Sequence, residues 1–93
     1  MKRAEAVSVI IPAYNEEGGV GEVVRNVRQI LTRAKIQHEV LVVDDGSGDH
    51  TALRAYQAGA KIIPMGENRG YGASIKAGMR QARYDLIAIT DAD

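Results

Sequence analysis

Four short aliphatic runs, each followed by a polar or glycine-rich stretch, constrain this chain more than any other feature. Val7-Ser8-Val9-Ile10-Ile11 is β-branched, stops at Pro12 and reads as a strand. Val40-Leu41-Val42-Val43 is apolar throughout, as a parallel strand covered on both faces should be. Lys61-Ile62-Ile63-Pro64 is short, and its proline suits a strand near a sheet edge. Leu86-Ile87-Ala88-Ile89 is the fourth run. Between the first two, Val20, Val23, Val24, Val27, Ile30 and Leu31 recur at steps of three and four, the stripe of an amphipathic helix. Asp49 can cap a second helix that carries Ala52, Leu53 and Tyr56 and ends at Ala58. Ser74 to Arg83 reads as a third, although Gly78 costs it about 1 kcal/mol relative to alanine.

Strand and helix alternate throughout, which predicts an α/β fold: a Rossmann-like, three-layer parallel sheet with crossover helices on both faces. The doubly wound order 3-2-1-4 would make the first and fourth strands neighbours, with ligands beyond their carboxyl ends where the order reverses. Pro12-Ala13-Tyr14-Asn15-Glu16 and Asp91-Ala92-Asp93 would then face each other, with Asp44-Asp45-Gly46-Ser47 one strand away.

Four carboxylates meeting there, Asp44, Asp45, Asp91 and Asp93, would repel one another unless something neutralised them. Asp91 and Asp93 are two apart and project to one side of an extended stretch. Two carboxylates plus substrate phosphates are a usual way to hold Mg²⁺ or Mn²⁺, and the ion neutralises a departing diphosphate. A pair of solvated acids at a strand end is the plainer reading of so short a pattern, and Asp44 to Ser47 also suits a simple turn. Tyr14 can stack on a base or cover a surface patch. Glu16 can receive ribose hydroxyls or cap the helix after it. The amides of Asn68-Arg69-Gly70-Tyr71-Gly72 can approach phosphate, or the segment can be a connector. Lys76 is a phosphate ligand or a solvated helix residue. His38 and His50 lack metal-ligand spacing and read as surface residues.

Several classes are disfavoured. Twelve basic and twelve acidic residues cancel, so there is no electrostatic footprint for nucleic acid. The absence of cysteine removes disulfides and thiolate metal sites. The third glycine of a GxGxxG would fall at Ile75, and no P-loop lysine motif occurs, against nicotinamide or ATP-hydrolysing chemistry. The basic start Met1-Lys2-Arg3 precedes an apolar stretch too short for a secretory signal, and no segment approaches the roughly 20 apolar residues of a membrane span.

The motifs Val7 to Glu17, Val42-Val43-Asp44-Asp45-Gly46-Ser47, Asn68-Arg69-Gly70-Tyr71-Gly72 and Asp91-Ala92-Asp93 resemble, in this order and spacing, the inverting GT-A glycosyltransferases that include dolichyl- and polyprenyl-phosphate glycosyltransferases. The resemblance implies a nucleotide-diphospho-sugar donor, a divalent metal (Mg²⁺ or Mn²⁺) and an acceptor such as a polyprenyl phosphate. It implies that Pro12, Tyr14 and Glu16 contact the nucleotide and that Asp45 reads the base. Asp91 and Asp93 match the DxD that engages ribose, diphosphate and metal. The stretch from Asn68 to Lys76, with Gly70, matches a donor-side loop and helix.

Residues 1–93 are accordingly expected to be an incomplete nucleotide-sugar-binding domain, the N-terminal portion of a GT-A fold, and inactive alone. The acceptor site, the catalytic base and any membrane anchors would lie beyond Asp93, so no catalytic base is assigned. The expected location is the cytoplasm, at the membrane face in a full-length protein. An unpaired fourth-strand edge would also let two copies pair. A sugar nucleotidyltransferase would want a basic, glycine-rich loop after the first strand, where Pro12 to Glu17 is acidic. A phospho-receiver module would carry its paired acids after the first strand, whereas Asp44 and Asp45 follow the second.

Overall fold

A computed structural model describes residues 5–93; the basic start at Met1-Lys2-Arg3 lies outside them. The elements run β1 (Ala6–Ala13), α1 (Val20–Arg33), β2 (Gln37–Asp44), α2 (Thr51–Gln57), β3 (Lys61–Pro64), α3 (Tyr71–Gln81) and β4 (Leu86–Ile89). The sheet is parallel throughout, in the order β3-β2-β1-β4. Chain order therefore reverses at β1, as anticipated.

Alternation along the strands sorts the core into two layers. Val7, Val9, Ile11, Ala13, Val40 and Val42 meet Val20 and Val24 of α1 and Ala55 of α2. Ile10, Leu41, Val43 and Ile63 face the other way, toward Ile75 and Ala77 of α3. Val40 to Val43 are all buried, as expected of a strand covered on both sides. β3 is an edge strand, which leaves room for Pro64.

The structure corrects several boundaries. β1 does not stop at Pro12 but pairs with β2 through Pro12↔Val43 and Ala13↔Asp44. The carbonyl of Ala13 accepts from Asp45 on the β2 side and that of Ile10 from Thr90 on the β4 side. Pro12, two residues from Ile10, therefore turns its missing N–H toward β4, whose pairing with β1 ends at Ile10↔Ile89. No ladder bond is lost. Helix α3 begins at Tyr71 rather than Ser74, because Gly70 takes φ 99° and its carbonyl accepts the Ser74 amide.

Ile30 is 65% exposed, although its spacing fits the α1 stripe. It lies about 100° around the helix from the line through Val20, Val24 and Leu31. On α2 the buried residues are Thr51 and Ala55, followed by Ala58, whereas Leu53 and Tyr56 face solvent. β4 is also an edge, with Leu86 and Ile89 about half exposed.

Gly78 explains its own presence in α3. A Cβ there would stand 2.7 Å from Cγ2 of Ile10, so glycine lets the helix settle onto β1. At the amino end of the sheet, the Ser8 hydroxyl donates to Glu39 Oε2 at 2.6 Å and accepts from the Tyr84 amide at 3.1 Å. Glu39 also accepts the Arg83 amide, so the turn into β4 is tied to β1 and β2.

Candidate functional site

The carboxyl end of the sheet is organised by two loops bonded to each other. Asn15 adopts a left-handed backbone (φ 53°), its amide donates to Ser47 Oγ at 2.9 Å, and its Oδ1 accepts the Gly48 amide at 2.9 Å. The Glu16 amide donates to Thr51 Oγ1 at 2.8 Å, and the Glu17 amide to Asp49 Oδ2 at 3.3 Å. The Glu16 carbonyl accepts from Gly19 and Val20 and so starts α1. Ser47, Asp49 and Thr51 thus fix the loop after β1 as well as the start of α2. Asp49 accepts both the amide and the hydroxyl of Thr51, the first residue of α2. It supports the helix start as expected, but from one position ahead of the N-cap residue, which is His50. The Thr51 hydroxyl, more than the backbone amides, holds the Asp49 carboxyl below its ordinary 3.8. His50 is exposed and lies 3.3 Å from Glu17, while His38 bonds the Ile36 carbonyl; neither belongs to the site.

Asp45 is buried at the end of β2. Its Oδ1 accepts the Arg69 amide at 2.7 Å and its Oδ2 the Gly70 amide at 2.9 Å. These two amides therefore point at a protein carboxylate, and the expectation that they approach phosphate is corrected. Hydrogen bonds to an ionised acceptor are the stronger kind, and they offset the cost of burying the charge. Asp44 bonds its own turn, accepting the Ser47 amide at 3.1 Å.

The anticipated meeting of four carboxylates does not occur: among the described residues no three His, Cys, Asp or Glu side chains gather where a metal would sit. Asp45 is satisfied by amides and Asp44 by a turn, which leaves Asp91 and Asp93 as a pair. Both are exposed, on either side of buried Ala92. Ala92 packs into the core layer shared with α1. Gly19 lies against the backbone of residues 92 and 93: a Cβ on it would stand 3.4 Å from the Ala92 carbonyl oxygen, an ordinary contact distance. Two unburied carboxylates fit a divalent ion whose remaining ligands are phosphate and water.

A cavity of about 260 Å³ opens between these loops, lined by Pro12, Ala13, Tyr14, Asp45, Asn68, Gly70, Tyr71 and Ser74. Tyr14 and Tyr71 are exposed at 49% and 62%, so their rings are available at its rim. Of the residues singled out in the sequence, Pro12, Tyr14, Asp45 and Gly70 line this cavity. Glu16 is in the loop that continues from Tyr14, and Asp91 and Asp93 follow β4 without lining the cavity. Lys76 is exposed and outside the lining, about 200° around α3 from Ser74. Ser74 was missed, because a serine inside an apolar helical stripe reads as filler. Its hydroxyl is fully buried and has no hydrogen-bond partner among the described residues, which costs about 1–3 kcal/mol.

The sequence matches the glycosyl transferase family 2 pattern over residues 8–93. The chain belongs to glycosyl transferase family 2. It is 36% identical over 93 residues to the undecaprenyl-phosphate 4-deoxy-4-formamido-L-arabinose transferase of Pseudomonas fluorescens (strain SBW25), covering 94% of this chain and 27% of that protein. It is 38% identical over 95 residues to the transferase of the same name from Pseudomonas aeruginosa (strain LESB58), covering 96% and 28%. Among solved structures, mannosyl-3-phosphoglycerate synthase from Rubrobacter xylanophilus superposes with a TM-score of 0.86 at 29% identity, over 96% of this chain and 31% of that one. Glucosyl-3-phosphoglycerate synthase from Mycobacterium tuberculosis, in complex with Mn²⁺, UDP-glucose and phosphoglyceric acid, gives 0.81 at 25% identity over 96% and 33%. The fold of this family 2 chain is the N-terminal portion of a GT-A glycosyltransferase, and it spans about a third or less of each relative's length. No helix among the described residues is long and apolar enough to cross a membrane.

Proposed function

We propose that residues 1–93 form the donor-binding part of a metal-dependent glycosyltransferase. It would transfer a sugar from a nucleotide-diphospho-sugar, with inversion, to an acceptor such as a polyprenyl phosphate. The observation that carries this reading is the cavity at the carboxyl ends of β1 and β2, together with the exposed Asp91–Asp93 pair that follows β4, the strand paired with β1. At about 260 Å³ the cavity is smaller than the roughly 300–1,000 Å³ of a drug-sized site, so it suits a single base and leaves diphosphate and sugar outside.

In this reading Tyr14 stacks on the base, Pro12 and Gly70 form its walls, and Asp45 accepts a ring N–H. Glu16 lies toward the ribose. Asp91 and Asp93 would hold Mg²⁺ or Mn²⁺, which supplies charge neutralisation for the leaving diphosphate when bound. The acceptor oxygen would attack the anomeric carbon from the face opposite the diphosphate, and the bond to the diphosphate oxygen would break. The undecaprenyl-phosphate transferases named above support a lipid-phosphate acceptor; on this proposal the reaction takes place at the cytoplasmic membrane face. The structure with Mn²⁺ and UDP-glucose supports the donor and the metal.

Calorimetric titration of the chain with UDP- and GDP-type nucleotides, with and without Mn²⁺, tests the proposal. Mn²⁺ is expected to strengthen binding, and Asp93→Ala to abolish that enhancement. NMR shifts confined to regions away from Tyr14, Asp45 and Asp91 would sink it.

A further inference from the structure

We infer that Asn15 is a positioning residue for the nucleotide: its left-handed turn and its two bonds to the loop after β2 set Tyr14 at the cavity. This rests on the donor-binding reading above. The ladder between β1 and β2 ends where the Ala13 carbonyl accepts the Asp45 amide. The next fixed point is the Asn15 amide, which donates to Ser47 Oγ at 2.9 Å. Tyr14 is the single residue between these anchors, and it lines the cavity while about half of it is exposed. Its place is therefore set by the backbone on either side more than by packing around the ring.

Asparagine suits this position in two ways. Its φ of 53° is left-handed, a conformation that most side chains resist and that asparagine tolerates. The bend lets the chain leave β1 at Ala13 and start α1 soon afterwards, with the Glu16 carbonyl accepting from Gly19 and Val20. Its side chain also ties the loop down, since Oδ1 accepts the Gly48 amide at 2.9 Å. The partner loop is itself held, because the Ser47 amide donates to Asp44 Oδ1 at 3.1 Å. Asn15 is exposed, so it adds little to the core, and what it fixes is the course of the loop. A loop that leaves this course misplaces Tyr14. Nucleotide then binds only the fraction that retains it, and apparent affinity falls by that fraction.

The test titrates UDP, GDP and inorganic pyrophosphate, each with Mn²⁺, into the unsubstituted chain, Asn15→Gly and Asn15→Ala, well below the melting temperature of each. The same three chains are then made with Tyr14→Ala. Glycine keeps the left-handed backbone and loses the bond to Gly48, whereas alanine loses both. Affinity for the tighter-binding nucleotide should fall about 2- to 10-fold in Asn15→Gly, the worth of one hydrogen bond. It should fall at least about 5-fold further in Asn15→Ala, the cost of a left-handed residue with a side chain. Pyrophosphate binding should be unchanged. With Tyr14→Ala in place the Asn15 substitutions should cost little more, since they act through that ring. A merely structural Asn15 would cost as much without the ring as with it, and that result overturns the inference. Unchanged nucleotide affinity in both variants, an Asn15→Ala that binds no worse than Asn15→Gly, or a parallel loss of pyrophosphate binding also overturns it, with the donor reading left in place. Should Asn15→Ala fail to fold, Asn15→Gly with and without Tyr14→Ala decides the point. Absence of any nucleotide binding by the parent overturns both.

Discussion

Gly46 lies directly against the backbone of Asn68: a Cβ on Gly46 would stand 2.6 Å from the Asn68 amide nitrogen and 2.6 Å from the Glu67 carbonyl carbon. Gly46 also has φ 75°, a conformation that side chains resist. The turn after β2 can therefore tuck beneath the loop before α3, and this brings Asp45 to the amides of Arg69 and Gly70. Gly46→Ala is expected to destabilise the chain by about 2–4 kcal/mol, from backbone strain plus overlap. Urea denaturation measures this, and a loss below about 0.5 kcal/mol would show that the loop yields freely.

Asp45→Asn separates charge from shape. The asparagine oxygen can accept one of the two amides, while its NH₂ must face the other donor against donor. Losing a charge-assisted bond and stranding an amide should cost about 1–3 kcal/mol. The effect should be local: exchange of the Arg69 and Gly70 amides with deuterated solvent should accelerate far more than that of Val40 to Val43. Uniform acceleration would mean that Asp45 supports the whole fold and not this loop. Nucleotide binding should weaken in the same variant, because the base acceptor has lost its charge.

Acid should loosen the loop after β1. The Asp49 carboxyl is held below 3.8 mainly by the Thr51 hydroxyl, then by the Thr51 and Glu17 amides. A carboxyl with a depressed folded value contributes stability that is in full effect above its unfolded value. That stability disappears as pH falls through the folded value. The stability gap between the parent and Asp49→Asn should therefore be constant above roughly pH 5 and close as pH drops below the ordinary carboxylate range. Denaturation curves at several pH values check this, and a gap independent of pH would assign the effect to shape alone.

The strands and their order were legible because period and run length report burial directly. Val40 to Val43 are apolar without interruption, and β2 is flanked by strands and covered on both faces. Helix boundaries were less legible. Gly72 hid the first turn of α3, which is set by the left-handed Gly70 and by a carbonyl bond that spacing does not show. Pro12 looked like a strand stop because its orientation depends on which neighbour its N–H position faces, a property of the sheet and not of the run. In the site, the type and place of Asp45, Asp91 and Asp93 were readable. What each bonds was not: Asp45 is satisfied by amides 24 and 25 residues away. Ser74 escaped notice because only three-dimensional packing leaves its hydroxyl without a partner.

Gly78 shows how local preference yields to packing, and the sign of its substitution can be predicted. Alanine in a helix interior is favoured over glycine by about 1 kcal/mol, so Gly78→Ala would stabilise an isolated α3. In the fold the new methyl would meet three atoms of one side chain: Ile10 Cγ2 at 2.7 Å, Cδ1 at 3.0 Å and Cγ1 at 3.1 Å. Ile10 is fully buried in the central strand and β-branched, so it has little freedom to turn away. Overpacking of this kind costs about 1–3 kcal/mol, which exceeds the helical gain over most of that range. A net loss of up to about 2 kcal/mol is expected. Adding Ile10→Val should relieve it only in part, because it removes Cδ1 and leaves the closest atom, Cγ2, in place. Thermal melting of the single and double variants decides the point; a stabilised Gly78→Ala would show that α3 can lift off β1 at little cost.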